Sequence, residues 1–159
     1  GAMQKSLYRV VTYRPEHAAA WRSLNEGWII ECGFEIEPKD QKVLGDAQGQ
    51  VIAPGGQIFM VEDESGTAVG CCALMAMGEA SLELAKMAVR TDLRGQGLSK
   101  LLMQACIAGA KEAGAKRLYL ETNSALAPAL RLYEQSGFRY LPPRQTPYAR
   151  ADVFMELWL

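Results

Sequence analysis

The chain has 159 residues, enough for one domain with a real core. With 49% hydrophobic and 22% charged residues, it has the make-up of an ordinary soluble globular protein. A net charge of −1 excludes a general nucleic-acid surface, which needs a basic excess, but leaves room for a local cationic pocket.

Leu7 to Arg14 (LYRVVTYR) is rich in β-branched and aromatic residues and predicts a first strand. Pro15 suits the first turn of a helix, and Trp21, Leu24 and Trp28 at helical spacing carry that helix to Glu31. Pro38 starts a short second helix ending near Gly45, and Asp46 to Gln57, with several glycines and Pro54, reads as loop. Gln57–Asp63 and Ala68–Met77 flank a tight turn and predict a hairpin. Leu82 to Val89 is a further strand, and Gly97 to Ala113 a helix stopped by Gly114. Arg117 to Thr122 is a strand. Leu126, Ala129, Leu130 and Tyr133 mark a helix that Gly137 ends. A short strand at Arg139–Leu141 and a closing strand at Asp152–Leu159 complete the chain. This order predicts one mixed α/β sheet covered by helices, with a parallel crossover between Leu82 and Thr122.

Residues 4–159 read as a single domain, and Gly1-Ala2-Met3 as an expression scar. No stretch is long and apolar enough to span a membrane. Cys32, Cys71, Cys72 and Cys106 lack CxxC spacing and the single His17 has no evident co-ligands, so no metal is expected. Three of these cysteines sit in apolar runs, as reduced thiols do, and a cytoplasmic location is expected.

The junction Arg94-Gly95-Gln96-Gly97-Leu98-Ser99 lies between a strand and a helix. Helix N-termini carry unpaired N–H groups and the positive end of the macrodipole, so an anion with many acceptors is a natural ligand there. Glycines let the backbone approach closely, and Arg94 adds a permanent cation. The segment fails the P-loop spacing, and Lys100 stands where a dinucleotide fingerprint needs its third glycine. A plain strand-to-helix turn with a solvated arginine is the competing reading.

In "KMAVRTDLRGQGLSKLL" this junction resembles the cofactor signature [Q/R]-x-x-G-x-[G/A] of the GNAT superfamily of acetyl-CoA-dependent N-acetyltransferases, with Ser99 at the last position. A second block, "LAPALRLYEQSGF", is similar to the family's A-x-x-L-Y-x-x-x-G-F helix and turn, with Leu126 where many relatives carry asparagine. The resemblance implies an α/β (α+β) fold: a single mixed, mostly antiparallel sheet with a central, splayed parallel strand pair and helices on both faces. It implies acetyl-CoA as cosubstrate, its pantetheine between the strands Leu82–Val89 and Arg117–Thr122. Met87, Ala88 and Val89 would pair with the pantetheine, Arg94, Gly95, Gln96, Gly97, Leu98 and Ser99 would hold the pyrophosphate, and Asn123 would stand in for the missing asparagine.

The same resemblance implies catalytic roles. Tyr133 would be the general acid and Glu83 the general base, with the Met87 N–H as oxyanion donor. In a regular strand Glu83 shares a face with Ala85, Met87 and Val89, whereas a bulge would change that parity. Lys86, a charge in an apolar strand, needs a partner, either Glu83 or Glu121, or else it points into the acceptor pocket.

The acceptor is expected between "ECGFEIEPKD" and "RQTPYARAD". The acidic cluster Glu31, Glu35, Glu37 and Asp40 would attract an amine, Arg144 or Arg150 would hold a carboxylate, and Trp28 and Phe34 would line the pocket. A solvated charged rim is the alternative. These readings lead to an N-acetyltransferase acting on a primary amine of a small molecule, such as an amino-acid-like acceptor, or of a protein, by direct transfer in a ternary complex, with a homodimer possible and no nucleic-acid or membrane partner. The alternatives are another acyl group, a hydroxyl acceptor, a nucleotide-binding protein, or an acyl-CoA-binding regulatory domain without turnover.

Overall fold

The structure is a computed structural model that describes residues 7–159; the tripeptide read as a scar lies outside the described residues. Its strands are β1 (Arg9–Thr12), β2 (Gln57–Glu62), β3 (Ala68–Ala76), β4 (Ser81–Val89), β5 (Arg117–Thr122), β6 (Arg139–Tyr140) and β7 (Val153–Trp158). They form one seven-stranded sheet in the order β1-β2-β3-β4-β5-β7-β6. Neighbours pair antiparallel except β4 and β5, which run parallel. The helices are α1 (Ala18–Glu31), α2 (Pro38–Gly45), α3 (Leu98–Glu112) and α4 (Ala127–Gln135). This is the mixed, mostly antiparallel sheet with a central parallel pair that the sequence predicts.

The two faces of the sheet build separate cores. On one, Leu98, Leu102, Met103 and Cys106 of α3 and Tyr133 of α4 bury Cys72, Leu74, Leu82, Leu84, Leu118 and Leu120. On the other, Trp21 and Ile29 of α1 and Val43 and Leu44 of α2 bury Ile58, Met60, Cys71, Ala73 and Ala88. Each core follows from the alternation of a strand against the 3.6-residue stripe of a helix.

Two local expectations are corrected. Pro15–His17 is a 3₁₀ turn, because the His17 Nδ1 accepts the Arg14 N–H (2.9 Å) and caps the chain before α1 begins. Part of the expected loop after α2 is a π-helical turn, Gln48–Ile52, which buries Val51 completely. Gly56 beyond it has no room for a side chain, since a Cβ there would lie 2.3 Å from the Leu74 carbonyl oxygen. Among the described residues, no helix is long and apolar enough to cross a membrane.

Candidate active site

The parallel pair is the origin of the site. Strands β4 and β5 register only from Ser81↔Arg117 to Glu83↔Tyr119. Beyond Glu83, β4 stays with β3 as far as Val89↔Gly70, and β5 stays with β7 as far as Thr122↔Val153. The sheet therefore splits down its middle, and the β4 edge from Leu84 to Val89 has no strand on that side.

A bulge accompanies the split. Cys71 opposes Ala88 and Ala73 opposes Ala85, so Lys86 and Met87 together face the single residue Cys72. Lys86 takes φ of 60°, which costs a non-glycine residue about 1–3 kcal/mol and persists only where the surroundings enforce it. The adjacent thiols complete the bulge: Cys72 Sγ donates to the Ala85 carbonyl (3.6 Å) and Cys71 Sγ to the Lys86 carbonyl (3.7 Å). Desolvation raises both thiols, Cys71 to about 12, which keeps them protonated donors. The bulge also resolves the parity of the strand. Leu82, Leu84, Met87 and Val89 pack on the α3 face, whereas Glu83 and Ala85 lie opposite Met75 and Ala73 on the α1/α2 face. Glu83 thus does not share a face with Met87 and Val89, as an unbroken strand would require.

At the open end of the split, Gly97 (φ 80°) caps α3 in the left-handed region and Gly95 (φ 83°) precedes it likewise. The backbone N–H groups of residues 95–100 bond to nothing among the described residues, and the first bond of the helix runs from the Leu101 N–H to the Gly97 carbonyl. Arg94 stands beside this run, tied to Glu31 of α1 (2.6 Å), which also accepts from the Thr91 hydroxyl (2.7 Å). Those hydrogen bonds, from Thr91 and then Arg94, lower the Glu31 pKa.

A cleft of about 880 Å³ joins these parts. It is lined by Met87, Ala88, Val89, Arg94, Gly95, Gly97, Leu98, Ser99 and Asn123, and by Glu83, Tyr133, Trp28, Lys86 and Arg150. Of the residues expected on the cofactor, Gln96 alone is absent from the wall; its side-chain carbonyl accepts from the Tyr8 hydroxyl (3.2 Å). Phe34 and Glu37, expected on the acceptor, line a smaller adjoining hollow of about 340 Å³ instead. The Asn123 side chain ties its own turn to the segment before β7, accepting from the Ala125 N–H (2.8 Å) and donating to the Arg150 carbonyl (2.7 Å).

The Glu83 carboxyl forms no hydrogen bond among the described residues. Burial raises its pKa to about 7, and the negative charge of Glu121 adds to that. Glu121 is held on the same face by the Tyr119 hydroxyl (2.8 Å) and the Thr146 hydroxyl. A neighbouring carboxylate in a partly desolvated place pushes the Glu83 carboxyl toward its protonated form. Tyr133 belongs to the α3-side core, tilted 59° against Phe138 with centroids 5.9 Å apart, yet it also reaches the cleft. Its hydroxyl bonds to nothing among the described residues, and burial raises its pKa further.

The charges expected on the acceptor side are mostly paired with one another. Lys86 pairs with neither Glu83 nor Glu121. Its Nζ donates to Asp40 Oδ1 (2.7 Å) and to the Tyr148 hydroxyl (2.9 Å). Arg150 makes a bidentate pair with the same Asp40, both bonds 2.7 Å, and stacks against Trp28 and Tyr148. Asp40 is wholly buried; burial acts to raise its pKa, but Arg150 and Lys86 outweigh it and hold the carboxyl at about 2. Glu37 caps the backbone at Ala149 (3.0 Å). The acidic cluster is therefore no open attractor: Glu31, Glu37 and Asp40 each answer a cation or a backbone donor.

Tyr148 and Glu121 are among the wall residues that sequence reasoning did not single out as site residues. Tyr148 follows Pro147 in a segment without periodicity, and its place depends on the buried lysine it covers. A charged Lys86 within an apolar strand was the available signal for a nearby partner of this kind.

The described geometry is one that solved proteins share. An acetyltransferase of the GNAT family from Staphylococcus aureus superposes with a TM-score of 0.84 at 21% identity, over 94% of this chain and 97% of its own. An acetyltransferase of Salmonella typhimurium, solved with its cofactor acetyl-CoA, superposes with a TM-score of 0.73 at 17% identity, over 96% and 94%. At the level of sequence, an uncharacterized N-acetyltransferase of Schizosaccharomyces pombe is 35% identical over 131 residues, 81% of this chain and 80% of that protein. The model of the acetyltransferase (GNAT) family matches residues 18–138, a span that includes the split strands, the open helix end and Tyr133, and the chain belongs to that family.

Proposed function

We propose that the protein is an N-acetyltransferase that takes the acetyl group from acetyl-CoA and passes it directly to a primary amine. The observation that carries this reading is the run of unpaired N–H groups at residues 95–100, set at the mouth of the gap between β4 and β5. Such donors suit a diphosphate, and the free β4 edge suits an extended chain of amides. Acetyl-CoA combines both with a thioester.

The chain's own residues then divide the work. Met87 to Val89 offer strand-type hydrogen bonds to the pantetheine, and the Met87 N–H is the oxyanion donor. Arg94 and the backbone of residues 95–99 hold the pyrophosphate. Acetyl-CoA supplies an activated acyl carbon when bound. An amine of pKa about 10.4 arrives as an ammonium, and Glu83, titrating near 7, accepts a proton from it directly or through water. A C–N bond forms and the C–S bond breaks. Of the two protons the nitrogen loses, one leaves through Glu83 to solvent and the other ends on the thiol. Tyr133 presents its O–H to the departing sulfur.

Calorimetric titration with coenzyme A tests the cradle, and thiol release from acetyl-CoA with a panel of amines tests turnover. We expect micromolar coenzyme A binding and amine-dependent thiol release. Binding without release from any amine would make the domain a sensor; no binding would refute the reading at its root.

A further inference from the structure

The α1/α2 face of the cleft holds hydrogen-bond donors that nothing among the described residues uses. Arg150 turns its Nη1–Nη2 edge to Asp40, and its Nε–H and second Nη2 hydrogen bond to nothing among the described residues. Lys86 uses two of its three N–H groups. The Tyr148 hydroxyl accepts from Lys86 and has no acceptor for its own hydrogen. All three residues line the cleft, yet the Lys86 side chain is only 4% exposed and that of Arg150 11%. These donors face the cleft rather than the core, so water serves them in the free protein and the acceptors of a ligand can replace it.

The ligand's charge follows from the neighbours. A carboxylate has the lone pairs to take a guanidinium edge, an ammonium hydrogen and a hydroxyl together. A phosphate dianion is disfavoured, because Glu83 and Glu121 share this face. Those carboxyls in turn suit the amine: Glu83 is unbonded, and it precedes Lys86 on β4 by three residues, roughly 10 Å of strand. The bulge is what brings the two together, by turning Lys86 to the Glu83 side. A polyamine would meet Lys86 and Arg150 as like charges.

We infer that the acceptor is a short amino carboxylate, its amine directed to Glu83 and its carboxylate received by the unused donors of Lys86, Arg150 and Tyr148. The inference rests on the transferase reading and narrows it to one substrate class. Specificity arises from these donors: an acceptor lacking the carboxylate forgoes their charge-assisted hydrogen bonds.

The test uses the whole chain with acetyl-CoA. Thiol release is measured with the twenty L-amino acids, β-alanine and γ-aminobutyrate, each against its own carboxamide, with spermidine as a cationic control. We expect at least one amino acid to exceed its carboxamide at least tenfold in kcat/KM. Replacing Arg150 removes a buried charge and risks the fold, so Tyr148→Phe is the sharper variant. It should raise KM for the acid several-fold and that for the carboxamide by less, with a smaller change in kcat and unchanged coenzyme A affinity. Equal turnover of acids and carboxamides, a preference for spermidine, or a Tyr148→Phe enzyme with unaltered KM would overturn the inference. So would coenzyme A binding with no turnover of any member of the panel. Failure of coenzyme A itself to bind would instead strike the transferase reading.

Discussion

The two faces of the sheet reach the same cleft by opposite means. On the α3 face the site is backbone: a free strand edge, two left-handed glycines and unpaired N–H groups beside a nearly apolar core. On the α1/α2 face it is side chains: Asp40, Lys86, Arg150, Tyr148, Glu83 and Glu121, tied by ion pairs and burial. A backbone site binds any ligand that presents the right repeating groups and tolerates changes in side chains. A side-chain site is selective, and each member depends on its partners. One protein can in this way keep a cofactor half fixed while its acceptor half specifies.

Substitutions can break that contrast, and the largest effect is expected at Glu83. Glu83→Gln removes the proposed base and should lower kcat/KM about 10²–10⁴-fold. Wild-type activity should rise with pH through an apparent pKa near 7, and the variant should lose that limb. The stability linkage has a definite sign. Folding raises the Glu83 pKa from its ordinary 4.5 to about 7, so the stabilisation from its proton is full below pH 4.5 and lost by pH 7. The variant's Tm should be flatter than that of the wild type between pH 5 and 7. A pH–rate profile identical in both would return Glu83 to a bystander's role.

The next largest effect belongs to Asp40, at the centre of the side-chain half. Asp40→Asn leaves Lys86 and Arg150 buried without their common counter-charge and should destabilise by about 3–5 kcal/mol, which corresponds to a fall in Tm of about 6–20 °C for a chain of this size. Because its carboxyl is held at about 2, below its ordinary 3.8, the wild-type contribution is present above pH 4 and lost as pH falls toward 2. Calorimetry at pH 7 should show the full deficit, and at pH 2 a smaller one. A variant as stable as wild type at pH 7 would mean that the ion network does not carry this face.

Gly97 probes the backbone half. A Cβ placed there meets nothing within 4 Å, so space is not the obstacle; φ of 80° is. Gly97→Val should swing the first N–H groups of α3 out of their present alignment and weaken coenzyme A binding at least about 100-fold, while the strain of about 1–3 kcal/mol lowers Tm by about 2–12 °C. Unchanged affinity would reduce the junction to an ordinary turn.

The backbone half was also the legible half. Residues 87–99 are contiguous, and glycine is the one residue type whose presence reports a left-handed backbone, so a short motif carried the reading. The side-chain half joins positions far apart in the chain: Lys86 and Asp40 are 46 residues apart, Arg150 and Asp40 110. No local pattern encodes such a pairing. The bulge was raised by the family resemblance alone and had no local signal, since Ala85-Lys86-Met87 contains no glycine and its positive φ falls on a lysine. Its supports, the thiols of Cys71 and Cys72, looked like two small core residues. Asn123 lines the cleft as expected, and its amide also ties the turn after β5 to the segment before β7, a link between distant positions that no local pattern encodes.

Tyr133 lies where the two halves meet, and the smallest effect is expected there. It is a core residue of the α3 face whose hydroxyl reaches the cleft. Burial raises its pKa above the ordinary 10, while a thiol has a pKa of about 8.5. Complete transfer of the proton to the sulfur is therefore uphill, and the leaving group departs tolerably without it. The hydroxyl acts chiefly as a hydrogen-bond donor as charge develops, which is worth about tenfold in rate. Tyr133→Phe should lower kcat by about that factor, leave coenzyme A affinity and Tm nearly unchanged, and keep the limb near pH 7 that belongs to Glu83. A loss of more than about 10³-fold would mean that Tyr133 carries the reaction's main proton transfer, and would move the chemical centre from the side-chain half to the apolar one.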